Sequence, residues 1–477
     1  MKKNKRSAYF RRMTAAIMAG ILCIQLTGCQ SAGMDDANQI SEKKEPIQMS
    51  EHNTNAVQQA GQNMEAAMPK PVDFSVDDYE SWNKLRDENE ISEEFREALK
   101  QFAFRSGSQI LKQERENANY SPLSLYYALA LAGCGAKGET AAEIQNCLGI
   151  QSQEELASQC GKLYQRFYYD EQRIKKEYEE YGEGEYKSTI QLANSLWIAP
   201  QLGVKKEYQQ MAAQQFFASS YLADFTKEET GKQMGEWIAK QTKGVLSPKI
   251  QTDPQTMMSI LNTLYFYGSW QQPFQESLTQ EDEFTLEDGS KVSCPYLNQT
   301  DGQGSFQRGD GYTLSYLDTN NWCKMVFLLP DEGKKVSEFF NTPEDLDRAL
   351  DMDSKNWISG KVTWKIPKFS FGSSMKELPD SLKAMGMERM FTDKAEFNGI
   401  SDQPLWVSEV IQETHIAIDE QGVEGAAYTM MAMAGCAMYQ PELEAEMILD
   451  RPFLFGIRDS SSGAWLFLGV CRNPAEE

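Results

Sequence analysis

The sequence is poor in histidine. Its 477 residues include only two, His52 and His415. A Ser-His-Asp hydrolase or a histidine-rich metal site therefore has almost nothing to draw on. His52 lies in a polar stretch, and His415 lies in the middle of a strand-like run. This scarcity argues against an enzyme, and we predict no catalytic residue, no metal site and no cofactor.

The sequence also lacks closely spaced cysteine pairs and an excess of positive charge. No C-x-x-C pair occurs among its nine cysteines, so neither a zinc knuckle nor a thioredoxin-type site is indicated. The formal net charge is −23, whereas a nucleic-acid-binding protein needs a basic patch. We interpret the cysteines as scattered buried thiols, with Cys29 and Cys436 as exceptions.

The N-terminus has the pattern of a targeting segment. Six lysines and arginines precede an apolar run from about Thr14 to Ile24. That run is too short to span a bilayer as a mature helix, and its flanks suit a secretory signal. It ends in Leu26-Thr27-Gly28-Cys29, which resembles the lipobox of bacterial lipoproteins. The resemblance implies cleavage before Cys29 and lipidation of that residue. A plain signal peptide and an uncleaved anchor are the alternatives.

Composition, together with the lipobox resemblance, divides the sequence into three regions. Residues 1–28 are the predicted lipoprotein signal peptide. Residues 29–91 are polar, with few large apolar side chains, and we predict a disordered tether. Residues 92–477 are the predicted folded domain. Helical patterns dominate its first half and strand patterns its second half, without an internal repeat, so we predict an α+β fold with large mixed sheets.

Several local patterns in this domain predict individual elements. Ser121-Pro122 predicts the start of a helix, and Thr140-Ala141-Ala142-Glu143 fits a capping box for another. The alternation of Ile190, Leu192, Asn194, Leu196 and Ile198 predicts a strand. The nearly continuous apolar run Met257 to Phe266 predicts a strand buried on both faces.

The stretch 419–438 organises the second half of the domain. It follows a strand-like run, Leu405 to Ile418, and is rich in alanine and glycine, which is unusual for a surface loop. Read with a period of two, Val423, Gly425, Ala427 and Thr429 share one small, uncharged face. The pattern therefore fits two interpretations: a long connection, and a strand that has not yet paired with a sheet. An Ala/Gly linker or a helix is the alternative.

The flanks of this stretch closely resemble the serpin family. The hinge pattern Glu-x-Gly-(Thr/Ser)-x-Ala-Ala is matched by Glu420-Gln421-Gly422-Val423-Glu424-Gly425-Ala426-Ala427. The last strands of the family have the pattern Pro-Phe-(Leu/Val)-Phe-x-Ile-Arg-Asp, followed by Phe-Leu-Gly and then Asn-Pro. In this sequence they are matched by Pro452-Phe453-Leu454-Phe455-Gly456-Ile457-Arg458-Asp459, Phe467-Leu468-Gly469 and Asn473-Pro474. Further blocks are Ser121-Pro122-Leu123-Ser124, Gly135 to Ile144, Asn262 to Phe274 and Ile366-Pro367-Lys368-Phe369. The resemblance spans roughly Ser92 to Pro474.

The resemblance implies a serpin-like fold with an exposed reactive-centre loop, and a protease inhibitor that acts as a decoy substrate. A protease would attack one loop bond and form an acyl-enzyme, and the freed hinge would insert into the main sheet. Counting in the family manner from Glu420 places the attacked bond between Cys436 and Ala437. Cleavage after Met433, Ala434 or Met438 stays open.

The residue before that bond suits an elastase-like or chymotrypsin-like serine protease. No Lys or Arg lies in the loop before Arg451, which argues against a trypsin-like target. A papain-like cysteine protease is an alternative. The partner is thus a target protease in a covalent complex, and we expect a monomer, anchored by lipid to the outer face of the bacterial cell membrane.

Support residues follow from the same resemblance. Glu420 and Lys368 are expected to pair where the sheet opens, in the region called the breach, and Trp270 is expected to cover the insertion point. The residues expected to form the shutter, which lets the strands part, are Ser121, Ser124, Asn262 and Gln412. Gln412 stands where the family often has a histidine.

Three hinge residues depart from the family pattern. Val423 replaces the usual Thr or Ser, Gly425 replaces an Ala, and Tyr428 is bulky. A non-inhibitory serpin-fold binding protein is therefore an alternative. An enzyme is another, because Ser373-Ser374-Met375-Lys376 matches the S-x-x-K pattern of serine β-lactamases. No Ser-Asp-Asn or Lys-Thr-Gly follows it, which disfavours that reading.

Overall fold

The computed structural model of the chain describes residues 17–27, 63–182, 186, 188–375, 377–422 and 443–476. The helices in these ranges are α1 Tyr79–Glu88, α2 Glu93–Leu111, α3 Pro122–Gly133, α4 Gly138–Leu148, α5 Gln153–Tyr181, α6 Lys206–Gln215, α7 Glu228–Gln241, α8 Pro343–Ala349 and α9 Leu378–Ala384. Short 3-10 turns lie at Glu276–Leu278, Val336–Phe339 and Arg389–Phe391. None of the described helices is long and apolar enough to cross a membrane.

The described strands form two sheets. Their bounds are β1 Ile17–Thr27, β2 Ala118–Tyr120, β3 Thr189–Ile198, β4 Ala218–Leu222, β5 Thr256–Tyr267, β6 Gln280–Thr285, β7 Lys291–Gly309, β8 Tyr312–Asp318, β9 Cys323–Pro330, β10 Ile358–Pro367, β11 Ser370–Met375, β12 Trp406–Ala417, β13 Glu444–Ile448, β14 Phe453–Asp459 and β15 Trp465–Cys471. The six-stranded sheet has the order β11-β12-β1-β5-β3-β4. The nine-stranded sheet has the order β13-β10-β7-β8-β9-β14-β15-β2, with β6 paired to β7.

Both sheets are mixed, which agrees with the predicted α+β class. Most neighbours are antiparallel, but β3 pairs with β4, and β10 with β13, in parallel. Helix α3 packs against β5, β1 and β15 and thereby joins the two sheets. A strand that is covered on both faces needs an apolar sequence, and all twelve residues of β5 are buried.

Strand β1 is the least expected element. It runs antiparallel to β12 on one side and to β5 on the other, over its full length. Its side chains Leu22, Ile24 and Leu26 are completely buried. Burial of aliphatic side chains of this size is worth about 1.5–3 kcal/mol each. In the full-length chain, residues 17–27 of the predicted signal segment therefore belong to the folded domain, which we did not predict.

The predicted domain boundary at Ser92 is too late. Within the predicted tether, the backbone of Met64 exchanges hydrogen bonds with Ser220, and the amide of Ala67 donates to the carbonyl of Ala213. Helix α1 also precedes Ser92, and its Trp82 is buried with the indole donating to the Ser75 carbonyl. Backbone hydrogen bonds and the buried Trp82 thus hold this polar segment, and residues 63–91 belong to the folded domain together with β1.

The two predicted helix starts have different outcomes. Ser121 caps α3 as expected, with Pro122 at the first position and the Ser121 hydroxyl accepting from the Ser124 amide at 3.1 Å. The capping box predicted at Thr140 is wrong, because α4 begins at Gly138. The Thr140 hydroxyl instead accepts from the backbone amide of Glu396, so a contact distant in sequence uses the group.

Candidate functional site

The site lies where β12 ends and the chain turns over the end of the six-stranded sheet. The turn comprises Asp419 to Gly422. The Trp270 indole donates to the Asp419 carbonyl at 2.9 Å, and the Phe274 amide donates to the Glu420 carbonyl at 2.8 Å. Trp270 itself is buried. The turn is therefore fixed by the loop that follows β5.

Gly422 has a geometric reason to be glycine. Its φ is +74°, in the left-handed region that other residues rarely adopt. A Cβ atom there would lie 2.6 Å from the Gly268 carbonyl oxygen and from the Trp270 backbone nitrogen. Any side chain at 422 would push the turn away from the sheet end.

An ion pair ties the same turn to the second sheet. Lys368, which follows β10, donates to a Glu420 carboxylate oxygen at 2.7 Å, and the Thr279 hydroxyl donates to the other oxygen at 2.7 Å. Burial alone would raise the pKa of Glu420, but these hydrogen bonds outweigh it and hold the pKa below its usual value. The structure thus brings together the two residues expected to pair at the breach.

The neighbouring carboxylate behaves in the opposite way. Burial raises the pKa of Asp419 to about 6, although the Gln421 amide donates to it and Lys368 is near. Two adjacent acids in one turn therefore favour opposite protonation states in mildly acidic solution. In this turn the negative charge of Glu420 is stabilised, whereas that of Asp419 is disfavoured.

The shutter residues form two hydrogen-bonded groups in the middle of the six-stranded sheet. In the first, the Ser121 amide donates to the Gln412 side-chain oxygen at 2.9 Å, and the Gln412 amide donates back to the Ser121 carbonyl at 3.0 Å. Both residues are fully buried. Gln412 therefore connects β12 to the start of α3 without a titratable group.

The second group connects α3 to β5 and β3. The Ser124 hydroxyl donates to the Asn262 side-chain oxygen. The Asn262 amide donates to the Asn194 side-chain oxygen at 2.6 Å, and the Asn194 amide donates to the Phe216 carbonyl at 2.7 Å. We did not predict Asn194. Its alternation within a strand pattern was visible, but a buried amide partner across the sheet is not a local signal.

The two groups lie on opposite sides of β1. In the sheet register Leu22 stands opposite Gln412 on one side and opposite Asn262 on the other. The strands that carry the shutter, β12 and β5, are therefore parted by one strand width. Ile17 stands opposite Ala417, the last residue of β12 before the turn.

Several predicted site residues lie outside the described residues. These are Val423, Glu424, Gly425, Ala426 and Ala427 of the hinge, Cys436 and Ala437 at the predicted scissile bond, and Cys29 at the predicted lipidation site. Thr279 and Phe274 were missed as contacts of the turn. Phe274 lies in a block that we matched to the family, whereas nothing local marks Thr279.

The S-x-x-K stretch begins in a strand of the six-stranded sheet. Ser373 lies in β11, opposite Thr414 of β12, and its hydroxyl accepts from the Asn119 amide at 3.0 Å. Met375 is buried, and Lys376 lies outside the described residues. The serine hydroxyl serves to join two strands of different sheets.

Comparison with known proteins decides the family. The family model for serpins, serine protease inhibitors, matches residues 97–474. The chain belongs to the serpin family. Serpin-Z1C from Triticum aestivum is 30% identical over 393 residues, which cover 78% of this chain and 94% of that protein. Serpins are protease inhibitors and in general not enzymes.

Solved serpin structures show the same fold. The native state of Tengpin, a thermophilic serpin, matches with 26% identity and a TM-score of 0.66, over 80% of this chain and 95% of that one. Human thyroxine-binding globulin, crystallised with its ligand, matches with 22% identity and a TM-score of 0.66, over 80% and 99%. That second likeness shows a shared fold alone.

Proposed function

We propose that this serpin inhibits an elastase-like or chymotrypsin-like serine endopeptidase by offering it the loop after Gly422 as a decoy substrate. The observation that carries the proposal is the place of the turn. The hinge leaves β12 at Ala417 and is held by Trp270 and Lys368 at the end of the strand position between β12 and β5. A chain that continued antiparallel to β12 would enter that position.

The chemistry of the proposed inhibition balances without a cofactor. The protease serine attacks the carbonyl carbon of Cys436, the bond to the Ala437 nitrogen breaks, and an ester to the protease remains. The proton of the serine hydroxyl passes to the Ala437 nitrogen, which leaves as a free amine. The freed segment then enters the sheet as a strand. About fifteen residues at about 3.3 Å each would carry the ester-bound protease roughly 50 Å along the sheet.

The sheet offers a driving force for such a strand. The position between β12 and β5 provides hydrogen-bonding edges on both sides, as the full pairing of β1 with both strands illustrates. Its inner face accepts aliphatic side chains, as Leu22, Ile24 and Leu26 illustrate. The loop face formed by Val423, Gly425, Ala427 and Thr429 is small and uncharged, which suits burial.

A non-inhibitory serpin-fold binding protein is the second candidate. The observation in its favour is that, within the described residues, β1 fills the strand position between β12 and β5, which is therefore closed to the loop. Thyroxine-binding globulin shares the fold and was crystallised with thyroxine. In this case proteases would cut the loop without being trapped.

We further propose that the protein is exported and anchored by lipid at Cys29 to the outer face of a bacterial membrane. The Leu-x-Gly-Cys pattern after a basic and apolar segment supports this location. Cleavage before Cys29 would leave the domain, from Asn63 onward, joined to the membrane by the intervening polar residues. Metabolic labelling with a fatty acid, compared between the parent and Cys29→Ser, tests it.

The test of inhibition uses residues 30–477, close to the form that processing would leave. It is mixed with pancreatic elastase, neutrophil elastase, chymotrypsin, trypsin, subtilisin and papain, and the products are analysed on denaturing gels and by mass spectrometry. We expect a band at the summed mass with an elastase-like or chymotrypsin-like enzyme, and a released peptide that starts at Ala437. Clean loop cleavage by every enzyme, without a complex, would contradict the proposal.

A further inference from the structure

The strand position between β12 and β5 has a single occupant. Each strand in a sheet has two edges. The edges of β12 are taken by β11 and β1, and the edges of β5 are taken by β1 and β3. A further strand cannot join either one there while β1 is in place.

The occupant reaches the hinge. Ile17, the first residue of β1, is in register with Ala417, the last residue of β12, and Thr27 is in register with Trp406, the first residue of β12. The eleven residues of β1 thus cover the whole length of β12. A chain that turned at 419–422 and ran back along β12 would need the same eleven positions, beginning with that of Ile17.

The contacts of β1 are those of an integrated strand. Leu22, Ile24 and Leu26 are buried on the inner face. On the outer face, the Gln25 side-chain oxygen accepts from the Thr256 hydroxyl at 3.1 Å. The backbone carbonyl of Gln25 accepts from the Ser408 hydroxyl at 3.3 Å. Burial also raises the pKa of the Cys23 thiol to about 12. The segment therefore fits this position with both its backbone and its side chains.

We propose that residues 17–27 act as an intramolecular plug, which keeps the full-length chain from inserting its own reactive loop until this segment is removed. The inference rests on the proposed inhibitory function. The proposal also reconciles two observations. Residues 17–27 have the sequence pattern of a cleavable signal, and they also form a central strand of the six-stranded sheet. Removal of residues 1–28 would open the sheet and make the exported protein competent to inhibit.

The experiment uses the full-length chain, produced without secretion. Cys23 stands directly opposite Ile411 of β12, and opposite residues of antiparallel strands have Cα atoms about 4.5–5.5 Å apart, which lies within disulfide range. Ile411→Cys therefore allows β1 to be locked in place by oxidation. Cys23→Ser combined with Ile411→Cys is the matched control, which cannot form that disulfide.

A second variant releases the plug without shortening the chain. Leu22→Asp combined with Ile24→Asp places two carboxylates on the buried face of β1, where charge is strongly disfavoured. For each protein the loop is cut with elastase, and the thermal midpoint is measured before and after cutting. Insertion of the cut loop raises the midpoint because it adds a paired strand.

We expect peptide mass spectrometry to show the disulfide between Cys23 and position 411. The locked chain should keep its midpoint after loop cutting, whereas the double aspartate variant should gain stability. The plug is overturned if the disulfide does not form, if the locked chain gains the same midpoint shift as the double aspartate variant, or if neither protein gains any. A gain confined to the double aspartate variant, without a trapped protease, would leave the plug standing and refute the inhibitory function.

Discussion

The breach and the shutter differ in the kind of contact that they make. The breach fixes the turn that follows β12, and the shutter fixes β12 and β5 themselves. At the breach, Glu420 and Lys368 form an ion pair whose side chains are 11% and 27% exposed. At the shutter, Ser124, Asn262 and Gln412 are fully buried and uncharged. An ion pair in contact with solvent can break and be hydrated at a small cost, whereas a buried amide that loses its partner cannot. The contacts of the turn at the breach should therefore break before those of the shutter.

The largest effect is expected at Asn262. Asn262→Ala would leave the Ser124 hydroxyl and the Asn194 side-chain oxygen without their partner. Buried polar groups that lose a hydrogen bond cost about 1–3 kcal/mol each, so for these two groups we expect the free energy of unfolding to fall by about 2–6 kcal/mol. Urea unfolding measures it.

Thr263→Val is the matched control for this change. Thr263 neighbours Asn262 on β5, is fully buried, and its hydroxyl has no hydrogen-bond partner within the described ranges. Replacement by a residue of similar shape should be neutral or slightly stabilising. An Asn262→Ala effect no larger than that of Thr263→Val would break the distinction between shutter and breach.

Gln412→Leu should have the next largest effect. The change leaves the Ser121 amide without an acceptor, but the Ser121 carbonyl keeps the Leu125 amide as a donor. We expect a loss of about 1–3 kcal/mol in the free energy of unfolding, with little dependence on pH. Gln412→His should restore part of the loss at neutral pH and lose it again in acid, which equilibrium unfolding across pH would show.

A smaller effect is expected at the breach. Glu420→Gln removes the charge but keeps an oxygen that accepts from Thr279. Solvent-accessible ion pairs contribute about 0.2–1 kcal/mol. Because the pKa of Glu420 is lowered in the folded state, its contribution is present above the ordinary carboxyl pKa and is lost as pH falls below it.

Unfolding at low and high salt tests this assignment. The difference between the parent and Glu420→Gln should shrink in high salt and in acid, since both remove the charge interaction. A difference that is the same in low and high salt would show that the carboxylate acts through its hydrogen bonds alone.

The effect expected at Asp419 has the opposite sign. The pKa of Asp419 is raised to about 6 in the fold, so its contribution is greatest below about pH 4 and is lost as pH rises through about 6. Asp419→Asn mimics the protonated form. We expect the variant to be more stable than the parent near pH 7.5 and equal to it near pH 4. Lower stability at both pH values would refute the raised pKa.

Much of the fold was predictable because its signals are local. The apolar run Met257 to Phe266 predicted a strand buried on both faces, and β5 is fully buried. Ser121 and Pro122 marked the start of α3. The ion pair between Glu420 and Lys368 was also predicted, but through the family resemblance, since no spacing rule connects two residues so far apart.

Strand β1 shows where local reading fails. A short run of apolar residues suits the core of a signal peptide and a central strand equally well, and periodicity cannot tell them apart. The deciding information is the strand position between β12 and β5, which β1 fills. That position is formed by residues hundreds of positions away in the sequence. Asn194 and Thr279 were missed for the same reason, because their partners are set by strand order rather than by nearby sequence.

The most direct test of the account is hydrogen exchange at the facing edges of β5 and β12 in the full-length variant with Leu22→Asp and Ile24→Asp. With β1 displaced, the amides that face the strand position should exchange rapidly. After elastase cuts the loop, we predict that these amides become protected again. The exchange rates of the β12 amides that face β11, and of the β5 amides that face β3, should stay unchanged. Edges that remain in rapid exchange after cutting would contradict the claim that this position receives the reactive loop.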